Sequence, residues 1–227
     1  MRTSMQPAPK AYYRRDLPHW HPPGVPIFFT CRLYGSLPAK VPQELKSMQR
    51  LLAREISTLS EVEQQERRVQ HFKKLFARID LTLDKANSGP LWLAKTEIAS
   101  MVENTLLSKY AALYELWAYV VMANHVHFLI TPKSSIDSDV PVKQILQKIK
   151  GYTAYEANKL MGRTGEPFWQ GESFDHWSRD YDEFMRIVAY IENNPVKAAL
   201  VVRPEDWKFS SAAERMRRGW TTVRSLT

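Results

Sequence analysis

The sequence of 227 residues has a single cysteine, Cys31. One thiol excludes a disulfide framework within the chain and a cysteine-rich zinc site, and it suits a reducing compartment. The sequence also lacks any apolar run of about 18 residues, the length a membrane-spanning helix needs. Its opening stretch MRTSMQPAPKAYYRRDLPHWHPP holds no apolar segment of the secretory type. The expectation is a cytoplasmic protein with no signal peptide and no membrane span. No internal repeat is visible. Acidic residues are in the minority, 24 against 32 Lys and Arg, for a net charge of +8 and a pI near 9.5. Such a balance points to a polyanionic partner, nucleic acid before a membrane surface, although many basic proteins bind neither.

Apolar residues make up 44% and aromatics 11%, enough to build a core and too many for a disordered chain. Residues 1–24 carry Pro, Arg and aromatics without a period and read as an irregular arm. The stretch VPIFFTCRLYG alternates, with Ile27, Phe29, Cys31 and Leu33 on one face and Thr30, Arg32 and Tyr34 on the other, as a half-buried strand does. Helical spacing then runs from about Pro42 to Ala86, and 41–90 reads as a helical insertion. A third helix is expected over 94–110, two strands over 114–122 and 125–131, a helix over 140–161, a short extended piece within FWQGESFDHWSRD, and a last helix over 180–194. Asp180 with Glu183 has the form of a capping box, and Pro195 ends that helix. The order suits an α+β fold, an antiparallel sheet with helices on one face. A single domain is expected over 25–211, followed by a basic tail over 212–227.

Two patterns carry chemistry. In VVMANHVHFLITP, His125 and His127 flank Val126, and the period of two in a strand turns both imidazoles to one face. Neutral imidazole is the commonest metal ligand, but two ligands need a third. In IVAYIENNPVKAALV, Tyr190 and Asn194 stand four apart, one helical turn, and share a face beside the apolar stripe Phe184, Ile187, Val188 and Ile191. An amide oxygen is a hard ligand. His125, His127 and Asn194 would then form a metal triad, with Tyr190 a turn away as a nucleophile for a phosphodiester. The same residues also read as ordinary core histidines, an amphipathic tyrosine and a helix-terminal asparagine.

Taken together, WAYVVMANHVHFLITP, ILQKIKGYTAYEANKLMGRTGEPFWQGESFDHW and FMRIVAYIENNPVKAALV, with the earlier LPHW and FTCRL, resemble the REP-associated tyrosine transposases, a branch of the single-tyrosine HUH transposases. The resemblance spans about Leu17 to Ser211 and is weakest over 41–90. It implies a ferredoxin-like core with the HUH strand central. It implies Mg2+ or Mn2+ held by His125, His127 and Asn194, and Tyr190 as the nucleophile that forms a 5′-phosphotyrosine. Relatives carry Gln at the third ligand position; the shorter Asn194 requires a closer backbone. The implied partner is single-stranded or hairpin DNA, bound by a monomer or homodimer.

Tyr152 and Tyr155, after QKIKG, are rival nucleophiles without a ligand-type residue one turn away. Glu172, Asp175 and His176 stand as second-shell or DNA-contact candidates, or as a structural polar cluster. Lys143, Lys148, Lys150, Arg163, Arg179, Arg215, Arg217 and Arg218 are candidates for phosphate contacts. Phe168, Trp169 and Trp177 are candidates for base stacking, against a simpler core role. Two other functions stay open: a domesticated hairpin-binding protein that does not cut, and a metal hydrolase of a small substrate with His176 as third ligand.

Overall fold

The structure is a computed structural model that describes residues 12–14, 18–20, 24–135, 138–139 and 141–227. Strands β1 (Tyr12–Arg14) and β2 (Pro18–Trp20) pair antiparallel within the segment expected to be an irregular arm. The main sheet is antiparallel and is built from β3 (Ile27–Arg32), β4 (Tyr114–Val121), β5 (His125–Pro132) and β8 (Phe174–Trp177), in the order β4-β5-β3-β8. Two-residue strands β6 (Ser134–Ser135) and β7 (Ser138–Asp139) form a separate ribbon after β5. The strand β5 that carries His125 and His127 is therefore internal, as the resemblance implies.

The helices are α1 (Lys40–Glu55), α2 (Glu61–Asp84), α3 (Thr96–Asn104), α4 (Val142–Leu160), α5 (Tyr181–Glu192), the single turn α6 (Asn194–Lys197) and α7 (Ser211–Arg217). They cover both faces of the sheet, not one. Period-two alternation divides the core accordingly. Ile27, Phe29, Cys31, Val126, Phe128 and Ile130 pack against Ile98, Ala99 and Val102 of α3 and Ile145, Leu146 and Ile149 of α4. Phe28, Val120 and Leu129 point the other way and pack against Ile187, Val188 and Ile191 of α5, with Phe76 of α2 alongside. The one-face expectation fails because nearly every residue of β5 is buried, His125 and His127 included. Both sides of such a strand need cover.

Local chemistry fixes the helix starts near the site. Ser60 and Glu63 form a complete capping box at α2, and Asp180 accepts from the Glu183 amide at 2.7 Å to start α5. Such caps stabilise by about 1 kcal/mol each. The segment 41–90 is not peripheral. Leu83 of α2 is buried with Leu37 and Val41, and its carbonyl accepts from Asn124 Nδ2 at 3.0 Å, at the turn leading into β5. The basic tail is also packed: α7 lies within it, and the Leu226 amide donates to the Leu116 carbonyl at 2.7 Å.

Candidate metal centre and nucleophile

The register of the sheet explains the placement of the histidines. Thr30 sits opposite His127 and Arg32 opposite His125, so both imidazoles fall on the α5 side of the sheet. They are fully buried, with ring centroids 4.6 Å apart. Each Nδ1 is held. That of His127 pairs with Thr30 Oγ1 at 2.8 Å, and that of His125 with Asn124 Oδ1 at 2.7 Å. Asn124 uses its Nδ2 on the Leu83 carbonyl, so its oxygen must face His125 and the His125 Nδ1 must be the N–H donor. Burial, and then the neighbouring His127, push the His125 pKa well below the usual imidazole range. A neutral ring protonated at Nδ1 carries its lone pair on Nε2. This is the orientation a histidine needs to ligate a metal, with its other nitrogen fixed by a hydrogen bond.

Tyr190 and Asn194 approach from α5 and the turn after it. The Tyr190 ring lies 5.5 Å from the His127 ring and edge-on to Phe28 at 5.8 Å. Its hydroxyl is buried. Burial, and then the Asp80 charge, raise the phenol pKa above its ordinary value, so the resting group is the phenol and not the phenolate. Asn194 is fully buried where Pro195 opens α6. Its amide approaches the His125 ring and the Tyr190 hydroxyl without a well-formed hydrogen bond to either. The helical spacing of Tyr190 and Asn194 and the strand spacing of His125 and His127 thus converge on one spot.

A residue that sequence reasoning missed stands there too. Asp80 of α2 places Oδ1 3.3 Å from His127 Nε2. Its other oxygen accepts from Lys197 Nζ at 2.6 Å, and Lys197 also pairs with Asp84 at 2.8 Å. These contacts hold the Asp80 carboxyl below the usual carboxylate range despite its burial, with His127 the largest of the lowering influences. The missed signal was available. Asp80 is four residues after Phe76 and three before Leu83, so a carboxylate sits on the buried stripe of an amphipathic helix.

The donor set suits a divalent cation. His125 Nε2, His127 Nε2, Asp80 Oδ1, Asn194 Oδ1 and the Tyr190 hydroxyl are all buried without a hydrogen-bond partner. Buried polar atoms are ordinarily paired, and each unpaired one costs about 1–3 kcal/mol. Asp80, His125 and His127 offer ligand atoms within 4.8 Å of one another. A cation among them would meet these lone pairs together.

Other residues proposed from the sequence lie elsewhere. Asp175 pairs with Phe29, on the sheet face opposite the histidines, and it lines a cavity there with Glu172, Lys143 and Lys150. His176 shares the histidine face, opposite Phe28, but its Nε2 pairs with Glu183 at 2.9 Å. The alternation of β8 separates Asp175 from His176, and neither Glu172 nor Asp175 reaches the HUH pair. Tyr152 and Tyr155 ride on α4, which packs on the opposite face. Lys109 sits 3.8 Å over the Tyr152 ring, and Tyr155 is exposed.

Among the cations, Lys150 donates to the carbonyls of Gln170 and Gly171. Arg215 is buried against Glu192 and the Trp117 carbonyl. Arg163 stacks on Trp92 at 3.9 Å, and Arg217 and Arg218 pair with Glu214. Lys143, Lys148 and Arg179 are exposed. Phe168 is buried, Trp169 donates to Thr153 at 2.8 Å, and Trp177 packs on the core. These aromatics serve the core.

Residues 93–194 match the family model described as "Transposase IS200 like". That span begins just after the 41–90 segment and ends at Asn194. A solved structure described as a REP-associated tyrosine transposase bound to a REP hairpin is similar in fold, with a TM-score of 0.53 and 18% identity over 95% of this chain and 92% of that one. Comparison with curated proteins gave no match. No helix among the described residues is long and apolar enough to cross a membrane.

Proposed function

We infer that this protein, whose residues 93–194 match the IS200-like transposase model, is a metal-dependent strand transferase that cuts and rejoins single-stranded DNA at hairpins. The hairpin substrate is suggested by the REP hairpin bound to the structurally similar transposase. One observation supports the reading most. The Tyr190 phenol and the two unpartnered imidazole nitrogens occupy one buried spot, whereas Tyr152 and Tyr155 lie across the sheet.

In the reaction proposed, the Tyr190 oxygen attacks phosphorus, its proton passes to water, and the departing O3′ takes up a proton from water, so that the exchange is neutral overall. The P–O3′ bond breaks, a free 3′-hydroxyl departs, and the 5′-phosphate stays on Tyr190 as a phosphodiester. Attack by another 3′-hydroxyl reverses these steps and recovers the phenol. The covalent link conserves the energy of the bond, so no nucleotide cofactor is consumed. His125, His127 and Asn194 would hold Mg2+ or Mn2+, which when bound neutralises phosphate charge and stabilises the departing oxygen. Thr30 and Asn124 orient the imidazoles. Because the histidines are fully buried, the layer formed by α2 and α5 must part to admit a phosphodiester.

The test is incubation with end-labelled single-stranded hairpin DNA and Mg2+ or Mn2+, followed by a denaturing gel. The proposed enzyme yields a protein–DNA adduct that survives denaturation. A hairpin-binding protein yields a native complex without an adduct, and a small-substrate hydrolase yields neither.

The basic residues separate into contact and scaffold. Exposed Lys148 is proposed to meet phosphate, so Lys148→Glu should weaken hairpin binding and flatten its salt dependence by about one unit of slope. Arg215→Ala should instead destabilise the fold by about 3–5 kcal/mol, because it leaves the largely buried Glu192 carboxylate without its countercharge, with the Ser211 hydroxyl as its remaining partner. Its salt slope should stay that of the parent, as urea titration beside binding isotherms at several salt concentrations will show.

A further inference from the structure

We propose that Asp80 of α2 is a ligand of the divalent ion in the DNA-free protein, so that the ion is held by His125, His127 and a carboxylate from the 41–90 segment together with Asn194. The inference rests on the metal-dependent reading of the site given above. Asp80 lies outside the 93–194 match and outside the blocks that carry the sequence resemblance.

Geometry comes first. With metal–ligand bonds of about 2.1 Å, two adjacent ligands on one ion stand about 3.0–3.5 Å apart. Asp80 Oδ1 and His127 Nε2 are 3.3 Å apart, and neither has a hydrogen-bond partner. Two buried atoms that lack a hydrogen-bond partner face each other at ligand spacing, with the His125 Nε2 within the same group.

The carboxylate is also held as ligands are held. Its second oxygen accepts from Lys197 at 2.6 Å, which leaves Oδ1 directed at His127. Lys197 is the lysine of the NPVK turn that begins with Asn194, so the turn that carries one proposed ligand also orients another. Three residues on, the Leu83 carbonyl accepts from Asn124, the residue that fixes the His125 ring. Phe76, one turn earlier, packs on Phe174 at 4.1 Å and on Phe28. Helix α2 is thus anchored on both sides of Asp80 at the histidines themselves.

Chemistry adds a reason for a carboxylate. Two imidazoles and an amide are neutral and leave a buried divalent charge uncompensated. Mg2+ and Mn2+ favour oxygen, and Mg2+ is usually bound through at least one carboxylate. Asp84, the other carboxylate on Lys197, is not in the ligand group and serves as the control.

The test is Mn2+ titration of the DNA-free protein, followed by the loss of the free-ion EPR signal. Asp80→Asn should weaken Mn2+ binding at least about tenfold, whereas Asp84→Asn should change it less than about threefold. In case Asp80→Asn does not fold, wild-type protein carrying aspartate 13C-labelled at the side-chain carboxyl should show a 13C hyperfine coupling to bound Mn2+. Unchanged affinity in folded Asp80→Asn, or no such coupling in the wild type, overturns the inference. If His127→Ala abolishes binding in the same experiment, the failure is confined to Asp80. If His127→Ala binds Mn2+ as the parent does, the metal reading of the site falls and the inference with it.

Discussion

Tyr190→Phe should form no covalent adduct with hairpin DNA and should lose strand cleavage by a factor of about 10^4 or more, while binding the hairpin as the parent does. The substitution removes one oxygen. The ring keeps its edge contact with Phe28 and its place beside His127, so the core around it is retained. The hydroxyl has no hydrogen-bond partner in the resting protein, so its loss strands nothing and stability should hold within about 1 kcal/mol. If that oxygen is the nucleophile, no neighbour replaces it, and loss of a nucleophile costs catalysis nearly all its advantage over water, by about six orders of magnitude in the best-measured case. The phenol is held above its ordinary pKa by burial and by Asp80. Cleavage by the parent should therefore depend on a cation that offsets the Asp80 charge, and chelation should reduce it by a factor of about 10^3, the contribution of the ion. Gel quantitation of adduct and cleaved strand, with and without chelator, checks both statements.

His127→Ala should have the second-largest effect, a loss of metal-supported cleavage by a factor of about 10^3, the equivalent of the several kcal/mol an ion supplies to a phosphoryl oxygen. This variant differs from Tyr190→Phe in a measurable way. It removes an imidazole that stacks on Phe28 at 5.4 Å and that faces the Asp80 carboxylate at 3.3 Å. Stability should fall by about 1–3 kcal/mol, because the buried Thr30 Oγ1 loses its partner on the ring. Added Mn2+ should stabilise the parent against heat and leave His127→Ala unchanged, since a ligand stabilises only the fold that binds it. Thermal melts with and without Mn2+, beside cleavage assays over a metal titration, separate lost metal from lost fold.

The parts of the fold that were legible in the sequence are those where one local period decides the outcome. The alternation in β3 and β5 places Phe28, Thr30 and His127 on one face and Phe29 and Val126 on the other. The spacing of four brings Tyr190 of α5 and Asn194 at the start of α6 together. Asp180 caps α5 as its spacing with Glu183 implies. Faces between elements were not legible. Nothing in the local pattern tells that α2 lies over the histidines, because that depends on long-range contacts such as Phe76 on Phe174 and Leu83 on Asn124. For the same reason the pattern does not assign Asp80 to the site, although it places a carboxylate on an apolar stripe. Charge misled in the other direction. Arg215 and Lys150 read as phosphate contacts because sequence shows the cation and not its partner, and both partners are brought by distant segments. In FWQGESFDHW, adjacent Asp175 and His176 were grouped by proximity in sequence, whereas a strand sends neighbours to opposite faces.

The phenol beside the histidines is proposed to be the group that attacks DNA. Mass spectrometry of the adduct, trapped on hairpin DNA and digested with a protease, tests it most directly. The modified peptide should contain Tyr190, within IVAYIENNPVK, and Tyr152→Phe and Tyr155→Phe should still give the same peptide. An adduct carried by the 151–158 segment, on the far side of the sheet from His125 and His127, would contradict it.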